Sequence, residues 1–280
     1  MIEVISRHFC HGGDLGYFKH RAAATDCEMR FAVFTPPQVS AGPVPVLYYL
    51  AGLTCTEETF VTKAGALQHA ARLGLMLVAP DTSPRVELPG DRESWDFGIS
   101  AGFYLDATQA PWSRHYRMYS YVVDELPKVI AANFRADLKR SGIFGHSMGG
   151  HGALTIALKN PAQYRSVSAF APISAPMQVP WGNKAFTGYL GADRGSWSQY
   201  DACELLANGR RFPDTLFVDQ GTSDKFLRTQ LQPERLEEAC KAAGQPLELR
   251  MHSGYDHGYF FIQTFIADHL AWHARRLASA

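Results

Sequence analysis

The stretch Gly145-His146-Ser147-Met148-Gly149 constrains the fold of this chain more than any other. Ser141-Gly142-Ile143-Phe144 before it predicts the end of a buried strand, and Gly150 to Leu158 after it predicts a helix of small residues. A serine at the apex of a strand–turn–helix unit has a strained backbone, and flanking glycines give the chain room to reverse. Its hydroxyl then stands above the edge of a sheet, and the N–H of the next residue points to where an oxyanion would develop. That context predicts an α/β architecture and a serine hydrolase, with a purely structural turn as the plain alternative.

The rest of the chain agrees with such a sheet. Ile2 to Cys10, Gly16 to Ala23 and Glu28 to Phe34 alternate or nearly alternate, with turn residues at Gly12-Gly13-Asp14 and Thr25-Asp26, which predicts an antiparallel N-terminal meander. Beyond Pro36-Pro37 the pattern changes to short apolar runs at 46–50, 75–79, 143–144, 167–170, 216–218 and 247–251. Continuous apolar strands alternating with helical segments predict a mostly parallel sheet with helices on both faces. Helical spacing is clearest over 116–134, 233–243 and 259–277, with a kink or two abutting helices expected at Pro127. Residues 172–200, rich in Pro, Gly and Trp, read as an irregular, lid-like excursion. No linker or repeat divides the chain, so one α/β domain over residues 1–280 is the expectation.

Composition excludes several classes. Lys+Arg and Asp+Glu balance at 27 each, which gives no attraction to nucleic acid or anionic membranes. No apolar run approaches the roughly 20 residues of a membrane helix, and the N-terminus lacks the layout of a signal peptide. The five cysteines (10, 27, 55, 203 and 240) are widely spaced and contain no CxxC pair, which argues against a disulfide framework or a zinc site. A cytoplasmic protein with reduced thiols is expected. The histidines show no metal-ligand spacing, so neither metal nor cofactor is expected.

A serine needs a base to take its proton and a carboxylate to hold that base in one tautomer. In doubly wound hydrolases these follow the serine in the order acid, then histidine, at the ends of later strands. The strand at 216–218 runs into Asp219-Gln220-Gly221-Thr222-Ser223-Asp224. Asp224, past the glycine turn, is better placed to reach back over the sheet, and Asp219 reads as a loop-organising carboxylate that accepts backbone N–H groups. After the strand at 247–251, His257 lies in a glycine-rich loop before the last helix, the place expected for the base. His252, His269 and His273 read as surface or packing residues. Oxyanion donors are expected from the N–H groups of Met148 and of Leu53, in the loop after the strand at 46–50. His11-Gly12-Gly13 precedes the parallel sheet and reads as a hairpin turn.

With these residues placed, the chain resembles the S-formylglutathione hydrolase (esterase D) family along nearly its whole length. The resemblance is carried by Gly52-Leu53-Thr54-Cys55-Thr56, Trp95-Asp96-Phe97-Gly98, the block Ala101 to Thr108, and Tyr116 to Tyr121. It continues through Gly145 to Leu154, Pro180-Trp181-Gly182 with Lys184 to Gly191, Asp224-Lys225-Phe226-Leu227 and Gly254-Tyr255-Asp256-His257. It implies an α/β-hydrolase that cleaves S-formylglutathione to formate and glutathione in formaldehyde detoxification. Ser147 would be the nucleophile, Asp224 the orienting acid, His257 the base, and Leu53 and Met148 the oxyanion donors. Members of such families are often dimeric, so a homodimer is a further implication. The chain departs from the family at Arg21-Ala22, at Gly221-Thr222-Ser223, and at Gly258, where a serine is common.

Trp95, Phe103, Tyr104, Trp181 and Lys184 lie in aromatic-rich stretches suited to lining a cleft. Lys184 is the candidate partner for a carboxylate of glutathione, with ordinary loop packing as the alternative for each. Cys55, two residues after Leu53, is either a modulatory thiol or a small buried residue. The competing functions are a general short-chain carboxylesterase or acyltransferase, which share the triad, and a silent binding protein on the same scaffold.

Overall fold

The computed structural model describes residues 1–91 and 94–278. Nine strands form one sheet in the order β1-β2-β3-β5-β4-β6-β7-β8-β9. The strands are β1 Glu3–Cys10, β2 Gly13–Ala22, β3 Cys27–Thr35, β4 Val44–Leu50, β5 Met76–Pro80, β6 Ala136–His146, β7 Ser166–Phe170, β8 Leu216–Gly221 and β9 Leu247–His252. The first three pair antiparallel, β3 joins β5 antiparallel, and all pairs from β5 through β4 to β9 are parallel. The expected meander and parallel sheet are both present.

The burial of each strand follows its composition. β5 and β7, apolar or small throughout, are buried at every position, and so is β8, whose Leu-Phe-Val run is followed by the buried Asp219 and Gln220. The mixed β1 is an exposed edge with a bulge between Val4 and Ser6, and β9, Leu-Glu-Leu-Arg-Met-His, is the half-buried opposite edge. Charge and bulging on an edge strand discourage pairing with another sheet.

The helices are α1 Glu57–Lys63, α2 Ala66–Leu73, the single turn α3 Met118–Ser120, α4 Leu126–Asn133, α5 Met148–Lys159, α6 Pro180–Leu190, α7 Ala202–Ala207, α8 Pro233–Ala243 and α9 Tyr259–Leu277. Pro127 interrupts the helical stretch as expected, by way of a wide turn over Tyr121–Glu125 in which the Leu126 N–H reaches the Tyr121 carbonyl. Proline cannot donate to the carbonyl four residues back. That carbonyl, on Val123, instead accepts Gln163 Nε2 at 3.0 Å. The 172–200 stretch, read from sequence as irregular, holds the eleven-residue helix α6. Its Trp181, Phe186 and Tyr189 are buried, each contributing about 1.5–3 kcal/mol by removal from water. Its proline, at the first helical turn, starts the helix.

Because β4, β6, β8 and β9 are parallel, their C-terminal ends lie on one edge of the sheet, where the loops 51–56, 147–148, 222–226 and 253–258 emerge. In open α/β sheets this edge is where ligands bind.

Candidate active site

Ser147 sits between β6 and α5 with φ 57° and ψ −118°, a conformation costly for a residue with a side chain. The surroundings hold it there. Its N–H donates to the Phe170 carbonyl at 3.0 Å, and its own carbonyl accepts the N–H groups of His151 and Ile173 at 3.0 and 3.3 Å. The flanking glycines are sterically required. A Cβ on Gly145 would lie 2.3 Å from the Gly149 carbonyl oxygen, and one on Gly149 would lie 1.9 Å from that of Leu50. Gly52 brings the loop after β4 against the serine, since its Cβ would meet that of Ser147 at 3.2 Å.

The Met148 N–H is at the first position of α5, where no intrahelical acceptor exists. Across from it, the N–H of Thr54 donates to Ser100 and that of Cys55 to Gly52, while the N–H of Leu53 has no acceptor among the described residues. The loop is clamped from behind by residues that the sequence did not single out. The Cys55 carbonyl accepts Thr82 Oγ1 at 2.6 Å and Arg85 Nη2 at 3.3 Å; Arg85 also donates to Ser100 Oγ at 2.6 Å and is paired with the buried Asp81. Thr54 itself has φ 68°, so this strained loop depends on that clamp. A larger cleft of about 710 Å³ borders the other side of Arg85, lined by charges of both signs but by neither serine nor histidine.

The carboxylate and imidazole come from neighbouring strand ends. Asp224 is buried and accepts His257 Nδ1 at 2.5 Å on Oδ2 and the Phe226 N–H at 2.8 Å on Oδ1. The two loops are joined: Thr222 and Ser223 N–H groups donate to the His252 and Tyr255 carbonyls, both at 2.9 Å. Gly221 permits this approach, because a Cβ there would lie 2.3 Å from the Tyr255 carbonyl oxygen. With Nδ1 donating to Asp224, the Nε2 of a neutral His257 carries its lone pair on the opposite edge of the ring. His146, whose ring centroid is 4.5 Å from that of His257, is buried, and neither of its nitrogens has a hydrogen-bond partner among the described residues. Burial, reinforced by the neighbouring His257, holds its pKa well below the usual histidine value. The His257 ring therefore lies against a neutral ring, tilted 44° to it.

Ser147 and His257 line one cavity of about 330 Å³, with Leu53, Cys55, Trp95, Trp181, Lys225 and Phe226 among its walls. No hydrogen bond joins the serine hydroxyl to the imidazole, a contact that in unliganded hydrolases often tightens only with substrate. Trp95 meets Trp181 edge-on at 5.7 Å, and Trp181 packs on Phe226 at 4.6 Å, forming an aromatic wall. Three expected cleft residues lie elsewhere. Phe103 is fully buried between His151 and Phe186, and Lys184 donates to Ser94 Oγ at 2.6 Å and pairs with Asp96 in a separate depression. Tyr104 is also fully buried, its hydroxyl donating to the Ala51 carbonyl at 2.9 Å. For Cys55, burial raises the thiol pKa despite hydrogen bonds from Tyr259 and Thr59, so little thiolate exists near neutrality.

A second grouping of serine, histidine and aspartate lies in the interior, where the sequence reading expected surface or packing histidines. Ser166 Oγ and Ser168 Oγ contact His273 Nδ1 and Nε2 at 2.6 and 2.8 Å, and Ser168 Oγ also contacts His269 Nδ1 at 2.8 Å. His269 Nε2 lies 3.3 Å from Asp219 Oδ2, and Asp219 is gripped by both Arg250 donors at 2.7 and 2.6 Å. Asp219 thus accepts side-chain rather than backbone donors. Burial would raise its carboxyl pKa, but Arg250 and His269 outweigh that and hold it below the usual carboxylate range. Ser166, Ser168, Asp219, His269 and His273 are all fully buried, so no substrate reaches them. Among the described residues no group of side chains could hold a metal ion, and no helix is long and apolar enough to cross a membrane.

Comparison with known proteins agrees with this architecture. The family model described as "Putative esterase" matches residues 22–272. The chain is 51% identical over 278 residues to an S-formylglutathione hydrolase of Mus musculus, covering 99% of each chain. It is 50% identical over 275 residues to that of Paracoccus denitrificans, covering 98% of each. The solved structure of an S-formylglutathione hydrolase from Agrobacterium tumefaciens superposes with a TM-score of 0.96 at 52% identity, over 98% of this chain and 99% of that one. The chain therefore belongs to the esterase family of α/β-hydrolases, within its S-formylglutathione hydrolase branch.

Proposed function

We propose that this chain hydrolyses S-formylglutathione to formate and glutathione, a step in formaldehyde detoxification, with Ser147 as nucleophile, His257 as base and Asp224 as orienting acid. The observation that carries the reading is that a paired Asp224–His257 opens onto the same cavity as a serine held in a strained strand–helix turn. Relatives named for this activity, alike over the full chain, supply the substrate.

In the first half-reaction Ser147 Oγ attacks the formyl carbon while His257 Nε2 takes its proton. The carbonyl π pair moves to oxygen, which receives the N–H groups of Leu53 and Met148. Collapse of this intermediate breaks the C–S bond, and the imidazolium gives its proton to the departing sulfur. Water then gives a proton to His257 and attacks the formyl-serine ester. Collapse returns the proton to Ser147 Oγ and releases formate. Asp224 keeps its charge throughout and fixes the tautomer. Ser147 is only 3% exposed, at the floor of the cavity, which suits a one-carbon acyl group with its carrier extending to the rim.

Cys55 lines the same cavity, so an adduct on its sulfur would obstruct the oxyanion loop, which makes it a candidate modulatory thiol. Its five free cysteines suit a reducing, cytoplasmic setting. Every group in the scheme lies on one chain, so the homodimer implied by the family contributes no residue to it. The test is the ratio of kcat/KM for S-formylglutathione to that for 4-nitrophenyl acetate. A preference well above about tenfold is expected, and one below it would favour a general short-chain carboxylesterase or acyltransferase.

A further inference from the structure

Lys225 is the one Lys or Arg side chain on the wall of the Ser147 cavity among the described residues, and the sequence reading did not single it out. It also borders a second depression of about 390 Å³ on the other side of His257, whose lining includes Asp256 and Ser223. Lys225 is exposed and has no carboxylate within ion-pair distance among the described residues, whereas Lys184 is taken up by Asp96. Its position is nonetheless fixed. The turn that carries it is pinned by the Phe226 and Leu227 N–H groups donating to Asp224, and its ammonium lies 4.9 Å from the centre of the Phe226 ring. That ring in turn meets His257 edge-on at 5.1 Å. Asp256 is exposed on the facing loop, one of its oxygens accepting the Gly258 N–H at 2.8 Å.

One cation and one anion thus border a single depression next to the base. The γ-glutamyl end of glutathione carries an α-carboxylate and an α-ammonium on one carbon, the complementary pair. We propose that the depression between Lys225 and Asp256 receives this amino-acid head group, with Lys225 on the carboxylate and Asp256 on the ammonium. This makes Lys225 a specificity-determining residue for the carrier. The inference rests on the proposed hydrolysis of S-formylglutathione and adds to it the part of the protein that recognises the carrier.

The test is a cycle between residue and substrate. S-formylglutathione is compared with S-formyl-N-acetylcysteinylglycine, which keeps the thioester and the glycine carboxylate but lacks the γ-glutamyl head. For Lys225→Met the loss in kcat/KM should be about tenfold greater with S-formylglutathione than with the truncated carrier, and should appear in KM. Asp256→Asn should show a smaller difference of the same sign, and Lys225→Arg should restore most of the loss. The discrimination should also shrink as salt is raised. Equal losses on both carriers would mean that residue 225 acts through its neighbour Asp224, and would overturn the inference; so would no loss on either. If wild-type protein shows no preference for S-formylglutathione over 4-nitrophenyl acetate, the parent reading fails instead.

Discussion

Two groupings of serine, histidine and aspartate stand out among the described residues, and they differ in that one is sealed in the interior while the other lines a cavity. Around Ser166, Ser168, His269, His273 and Asp219 the side chains rise from regular strands and a helix, are fully buried, and are tied to one another and to Arg250. Around Ser147 the backbone is strained, the partners come from loops, Ser147 and His257 line a cavity, and two N–H groups lack acceptors among the described residues. The first arrangement spends its polar groups on fixing α9 against β7 and β8. The second leaves them for a ligand. Residue types alone do not separate the two; accessibility, strain and unspent hydrogen-bonding capacity do.

The largest effects should separate them most clearly. Ser147→Ala should lower turnover by about 10^6 in steady-state assays, while Ser168→Ala should retain turnover and lose about 1–3 kcal/mol of stability, because two buried imidazole nitrogens lose their partner. An inactive but folded Ser168→Ala protein would break the contrast. Asp224→Asn should lower kcat by about 10^4 through the wrong histidine tautomer. Asp219→Asn, which leaves Arg250 underpaired, should instead cost about 3–5 kcal/mol in denaturant unfolding.

Acid should act on the buried histidines as a group. Burial lowers the pKa of His146, His269 and His273, and brings that of His151 to about 4. A histidine depressed in the folded state stabilises it fully above the unfolded pKa of about 6.5, and the contribution is lost as pH falls toward the folded value. Unfolding free energy should therefore decline between pH 6.5 and 4, by on the order of 3 kcal/mol for His151 alone. A flat stability profile over that window would contradict the burial argument. The smallest effect expected is for Arg85→Met, which loosens the clamp behind the loop that carries Leu53. It should lower kcat by about tenfold with little change in KM, and Arg85→Lys should recover part of the loss.

Local pattern makes much of this legible in the sequence itself. The elbow, the change from an antiparallel meander to a parallel sheet and the loops bearing Asp224 and His257 all follow from short-range periodicity and glycine placement. Pro127 announces its own interruption because the missing donor is a property of one residue. What stayed hidden depends on contacts between distant segments. Lys184 and Lys225 are indistinguishable as sequence, and only the proximity of Asp96, 88 residues away, decides which one is free. Phe103 lies in an aromatic-rich stretch like Trp95 yet is enclosed by α5 and α6. The Asp81–Arg85 clamp carries no motif, although a buried aspartate four residues before an arginine in a loop is a signal that could have been pursued. The histidines of α9 fall on its inner face, and helical periodicity could have placed them inside.

The central claim is that Ser147 alone, among the serines with histidine neighbours, is a nucleophile. Treating the folded protein with a fluorophosphonate and mapping the adduct by peptide mass spectrometry tests it directly. A single adduct on Ser147, lost in His257→Ala, is the predicted result. An adduct on Ser166 or Ser168, or an unlabelled Ser147 in active protein, would contradict it.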